Sequence, residues 1–136
     1  MMSSKKERFF MELDEAVKAE LQLAEEFLKD SELLSGKDSL RSASSRLYYS
    51  VFHASRAMLY KYGFNPKTHR GAITLFGKEI VGKGVVKEEY AKLLSKTFSL
   101  REQADYQPML TISKNEFEAL LSEAKKFLSE TKKLLK

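Results

Sequence analysis

Apolar residues recur along this chain at spacings of three and four, the period of helices that each turn one face inward. The first stripe, Phe9, Phe10, Leu13, Ala16, Val17, Leu21, Ala24, Phe27 and Leu28, predicts a helix from about Ser4 to Asp30. Ser4 and Glu7 open it at capping-box spacing, in which each side chain takes up a backbone N–H at the helix start. Ser35-Gly36-Lys37-Asp38 interrupts the pattern. The second stripe, Leu40, Ala43, Leu47, Val51, Ala54, Met58 and Leu59, predicts a helix from about Asp38 to Tyr62. Asp38 or Ser39 can cap it, and Gly63 follows its last turn. Ser42, Ala43, Ser44 and Ser45 keep its first half narrow, so another helix, from this chain or a second copy, can approach closely there.

Asn65-Pro66 predicts the opening of a short third helix, with Ala72, Ile73, Leu75, Phe76 and Ile80 turned inward. Val81-Gly82-Lys83-Gly84-Val85 reads as a connector, because it lacks the glycine, lysine and hydroxyl spacing of a phosphate loop. A fourth helix is predicted from about Lys87 to Tyr106, with Tyr90, Leu93, Leu94, Thr97 and Phe98 inside and Pro108 ending it. Ser113 and Glu116 form a second capping-box pair. They start a fifth helix to about Leu134, built on Phe117, Leu120, Leu121, Ala124, Phe127 and Leu128. No alternating strand pattern competes, and the connections are short. The expected fold is therefore all-α: an up-and-down bundle of four long helices plus one short one, in a single domain over residues 1–136 with its core at about 5–134.

Composition narrows the chemistry. An apolar share of 43% in 136 residues is enough for a real core. The absence of cysteine excludes disulfides, thiolate metal sites and cysteine catalysis, and two histidines are too few for a closed zinc site. No metal or cofactor is expected. No apolar run has the length of a membrane span, and Met1 to Arg8 is too polar for a signal peptide, so a cytoplasmic protein away from membranes is expected. A net charge of +5 suits either a lysine-rich solvated surface or a phosphate-binding face.

Three groups of residues could carry chemistry. Arg46 and His53 stand two helical turns apart on one face, with Tyr49 and Ser50 between them. They can present a cation, a phenol, a hydroxyl and an imidazole to one ligand, or satisfy one another at a helix interface. Arg101 and Asp105 are spaced to pair on the fourth helix, and Tyr106 follows at its end. Thr68-His69-Arg70-Gly71 opens the third helix, where free N–H groups and two basic side chains would favour an anion. Tyr48, Tyr49, Tyr60 and Tyr62 can stack on bases, although core or interface packing is the more ordinary use of such rings.

The segments Arg46-Leu47-Tyr48-Tyr49-Ser50-Val51-Phe52-His53, Thr68-His69-Arg70-Gly71 and Arg101-Glu102-Gln103-Ala104-Asp105-Tyr106, in this order and spacing, resemble HEPN-domain proteins. More narrowly, the set looks like a small prokaryotic subfamily of single HEPN domains, over roughly residues 10 to 132. The resemblance implies a helical bundle that is usually dimeric. It also implies one of two duties: metal-independent RNA cleavage, or partnership with a small nucleotidyltransferase in a toxin–antitoxin module. The family's active motif is an arginine followed after four to six residues by a histidine, and its cleft forms where two copies meet. Arg101 matches that arginine, but Tyr106 stands where an active ribonuclease would have histidine. Tyrosine titrates near 10, too high for a good general base at neutral pH, yet it can donate a hydrogen bond to phosphate or stack on a base. Arg46 and His53 match the motif by spacing, but in an early helix.

The resemblance therefore favours a module that binds RNA or a nucleotide. Arg46 and Arg101 would hold phosphate, Tyr49 and Tyr106 would orient or stack, and His69 and Arg70 would extend the basic surface. The alternatives are an endoribonuclease, with His53 as base and Arg46 and Arg101 stabilising charge, and a purely structural interaction bundle.

Overall fold

A computed structural model describes residues 4–136, so Met1 to Ser3 of the polar N-terminus lie outside the described residues. The described residues form α1 (Lys5–Gly36), α2 (Leu40–Lys61), α3 (His69–Leu75), a π-helical segment (Phe76–Val81), α4 (Glu88–Tyr106) and α5 (Lys114–Leu134). The fold is the expected all-α, up-and-down bundle. Ser4 and Ser113 each close a capping box, with Glu7 and Glu116 respectively. α2 ends as its glycine predicts: Gly63 adopts φ 90°, while the Gly63 and Phe64 N–H groups reach back to Tyr60 and Leu59.

Cross-helix contacts fix the directions. Glu20 meets His53, Asp14 meets Lys61, and Ser31 meets Ala43, so α1 and α2 run antiparallel. Tyr48 packs on Phe98, and Arg41 reaches Ala104, which sets α4 antiparallel to α2. Tyr90 packs on Phe127, and Lys125 and Lys132 pair with Glu32 and Glu25, so α5 runs against both α4 and α1. Helix α2 is the centre of the bundle, with Leu47, Tyr48, Val51, Met58 and Leu59 all buried.

The small residues of α2 receive α1 of the same chain, where the sequence left a second copy open. Ser31 and Ser50 hydroxyls donate at 2.7 Å to the Ala43 and Ala24 carbonyls, bonds that only close backbones allow. Helix α1 also runs on to Gly36, past the expected end at Asp30, and buries Ser31 and Ser35 against α2. Its other end corrects the expected stripe. Phe9 and Phe10 are 60% and 51% exposed, because α2 has already ended at Lys61, opposite Asp14, and leaves them without a partner helix among the described residues.

Asn65-Pro66 does not open α3. Thr68 caps it instead, accepting from the Gly71 N–H at 2.9 Å. The turn of π-helix that follows was not expected from sequence. It widens the coil so that Phe76 and Ile80 both reach the core. It closes on Gly82, where a Cβ would collide with the Lys78 carbonyl.

Arg41 ties the start of α2 to the end of α4. Its guanidinium donates to the Ala104, Gln107 and Pro108 carbonyls at 2.5, 2.7 and 2.9 Å. Those oxygens lie at a helix C-terminus, where a positive charge is also favourable. Arg41→Ala is expected to cost about 1–2 kcal/mol of stability, read as a lower urea midpoint at constant slope. An unchanged midpoint would show that water serves these carbonyls equally well.

Candidate functional site

The row predicted on α2 exists, and a ring from α1 organises it. Phe27 lies 5.4 Å from the Tyr49 ring and 5.6 Å from the His53 ring, and the Arg46 guanidinium lies 5.9 Å from its centroid. Ser50 leaves the row, because it is buried and donates to the Ala24 carbonyl of α1. His53 is held from a second direction: its Nδ1 is 2.5 Å from Glu20 Oε2. Arg56 NH1 stands 3.8 Å from the other oxygen of the same carboxylate.

Arg101 enters from α4 on the neighbouring side. Its guanidinium lies 5.8 Å from the ring centroids of both Tyr48 and Tyr49. Asp105 Oδ2 comes within 3.1 Å of Arg101 Nε, so the expected ion pair forms. The carboxylate sits off the N–H axis, however, and Nε, although buried, has no hydrogen-bond partner among the described residues. The attraction between these two groups is therefore electrostatic, and the guanidinium keeps directional donors for another oxygen. Tyr106 is 76% exposed at the end of α4. Arg70, also exposed, lies over Phe98 and 3.9 Å from Glu102, on the flank of the site.

His69 joins the two halves. It is not the exposed residue that a helix start would suggest. Its ring stacks on Phe52 at 4.3 Å, and its Nδ1 is 2.6 Å from the Tyr48 hydroxyl. At the same helix start the Thr68 hydroxyl occupies the Gly71 N–H, so the anion-binding potential expected there passes to the side chains. Burial holds the His69 imidazole below its ordinary value, and the positive charges of Arg101 and Arg56 push the same way. Burial also raises the Tyr48 phenol, so it stays protonated.

The depressed His69 value has a consequence for stability. Unfolded, the imidazole binds its proton near 6.5; folded, it does so only at lower pH. Its contribution is therefore complete above about pH 6.5 and is lost as pH falls toward the folded value. Below about pH 6.5 the unfolding free energy of the wild type is expected to drop more steeply with falling pH than that of His69→Gln. Parallel profiles would mean that His69 titrates as it does in water.

Sequence reasoning missed Glu20, Phe27, Phe52 and Arg56 as members of this site. A signal for Glu20 existed: counting back from the α1–α2 turn places it opposite His53. The result is a cationic and aromatic surface, with Arg46, Arg56, Arg70 and Arg101 beside Tyr49 and two imidazoles. Glu20, Glu102 and Asp105 offset part of its charge. No helix among the described residues is long and apolar enough to cross a membrane.

An antiparallel bundle with arginine, histidine and tyrosine gathered across α2, α3 and α4 belongs to a recognisable class of small helical domains. The model of the HEPN domain matches residues 17–134, and the chain belongs to the HEPN family. It is 34% identical over 125 residues to a protein of Methanocaldococcus jannaschii named "Putative toxin MJ0605", covering 92% of each chain. A second protein of that organism, "Putative toxin MJ0142", is 35% identical over 115 residues, which cover 85% of this chain and 78% of the relative. A "UPF0332 protein" of Thermotoga maritima is 30% identical over 112 residues, covering 82% of this chain and 85% of the relative.

Proposed function

We propose that this HEPN-family protein is a cytoplasmic RNA- or nucleotide-binding module that works as a homodimer with a nucleotidyltransferase partner in a toxin–antitoxin-like system. The observation that carries the binding part is Arg101, a guanidinium 5.8 Å from the ring centroids of both Tyr48 and Tyr49, paired with Asp105 and with its side chain still 18% exposed. Its guanidinium is held in place before any ligand arrives, and its planar fork matches the oxygens of a phosphate. Arg46 and Arg70 supply further positive charge. Tyr49 and Tyr106 offer faces for a base, His53 and His69 add hydrogen-bonding nitrogens, and Asp105 keeps Arg101 in place. The toxin names of two relatives support the setting.

A second reading, a metal-independent endoribonuclease, is favoured by one contact, Glu20 on His53. A carboxylate behind an imidazole raises its competence as a base, here toward a ribose 2′-hydroxyl, with Arg101 and Arg46 facing the phosphate.

The test is to titrate fluorescent single-stranded RNA with the full chain in EDTA over a salt series, and to run the same mixtures on a gel. Binding through about three phosphates gives a log–log salt slope of about −2. A flat salt dependence, with Arg46→Ala binding like wild type, would leave only a structural bundle. Cleavage abolished in His53→Ala would promote the second reading over the first.

A further inference from the structure

The two histidines are held by chemically different partners. A carboxylate can only accept, so the short contact between Glu20 and His53 places a proton on His53 Nδ1. A neutral imidazole carries one proton, so His53 Nε2 is left as an acceptor. Tyr48 does the reverse. Its hydroxyl is buried, remains protonated, and has no partner other than His69 among the described residues. If His69 donated to it, the phenol proton would be buried unpaired, at the cost of an unmade hydrogen bond. Tyr48 therefore donates to His69 Nδ1, and neutral His69 carries its proton on Nε2.

Both rings pack on Phe52, with centroids 5.3 Å and 4.3 Å from it. Neither Nε2 has a hydrogen bond from the described residues, and both residues are partly exposed, the His53 side chain at 14%. The same surface carries Arg101, whose charge acts on His69.

We propose that Glu20 and Tyr48 are positioning residues that lock His53 and His69 in opposite tautomers, giving the site one accepting and one donating imidazole nitrogen. The matching ligand presents a hydroxyl beside an anionic oxygen, as a ribose does beside its phosphate. The ligand half rests on the phosphate-binding reading above, whereas the tautomer half stands on the contacts alone. Phe27 stacks on His53 at 9° and Phe52 on His69 at 28°, which fixes each ring plane, and turning either ring over would carry its Nδ1 away from Glu20 or Tyr48. DNA lacks the 2′-hydroxyl, so the arrangement discriminates between the two sugars.

The experiment is an imidazole 15N–1H correlation spectrum of the full chain at about pH 8, where histidine is neutral. His53→Gln and His69→Gln assign the two rings. The wild type is expected to show His53 protonated at Nδ1 and His69 at Nε2; the same tautomer in both rings would overturn the proposal. Glu20→Gln keeps a carbonyl acceptor and should retain the His53 tautomer. Glu20→Met should release it, and Tyr48→Phe should release His69. A folded Glu20→Met protein with His53 unchanged would remove Glu20 from the role. If Glu20→Met does not fold, as seen by circular dichroism, the wild-type and Glu20→Gln spectra decide. For the ligand half, one RNA strand and its 2′-deoxy counterpart are titrated in parallel, with at least about tenfold tighter binding of RNA expected. Equal affinity would overturn that half. Failure of both strands to bind would sink the phosphate-binding reading and leave the tautomer spectrum to stand on its own.

Discussion

Phe127→Ala is expected to lower the unfolding free energy by about 4 kcal/mol, among the largest effects available to a single truncation in this protein. Phe127 is wholly buried in α5. Its ring lies 4.8 Å from Tyr90 of α4 and 5.8 Å, edge-on, from Phe76 at the start of the π-helical segment. Truncation removes apolar surface where three elements meet, and none of them can close the void alone. Phe76 is held by the hydrogen bonding of the π turn, and Tyr90 by the first turn of α4. Urea unfolding at constant slope should report the loss. A cost below about 1 kcal/mol would mean that these rings collapse into the space. Phe9→Ala is the matched control. It removes an equally large ring from a position 60% exposed and should stay within about 0.5 kcal/mol.

Arg101→Ala is expected to weaken binding of single-stranded RNA by about 10- to 30-fold and to make the log–log salt slope shallower by about 0.7. The guanidinium is fixed by Tyr48, Tyr49 and Asp105 before any ligand arrives, so little side-chain freedom is lost on binding. Arg101→Lys should recover only part of the affinity, since an ammonium keeps the charge but not the planar fork. Arg70→Ala, which removes a side chain that is 79% exposed, should weaken binding less than threefold or so, as screened surface charges do. Equal effects of Arg70→Ala and Arg101→Ala would point to diffuse attraction by the net charge of the chain, and against a site centred on Arg101.

Much of the fold was legible because helical signals are local. The two capping boxes, the glycine that ends α2 and the stripes of α4 and α5 each lie within a few residues of the feature they specify. The same holds for parts of the site. Arg46 and His53 share a face because both stand on one helix, and Arg101 meets Asp105 because they are one turn apart. The family motif added Arg101 and Tyr106 as a pair, and the match to the HEPN domain bears out that resemblance.

What the sequence determined by itself, then, was the four long helices, most of their inward faces and the same-helix pairs, because each follows from the 3.6-residue period and from caps at close range. Tertiary structure decided which side chain meets which across helices. Phe9 and Phe10 look like core by period, and only the place where α2 stops leaves them in water. Glu20 falls on the apolar stripe by period yet looks like surface by its charge, and only the register of α1 on α2 puts it behind His53. Tyr48 and His69 are 21 residues apart, and Arg41 and Ala104 are 63 apart. No periodicity couples such positions. Their pairing depends on loop lengths, on the small residues that let α1 and α2 close, and on the π turn that sets Phe76 and Ile80 in the core, all of which act only when the helices pack.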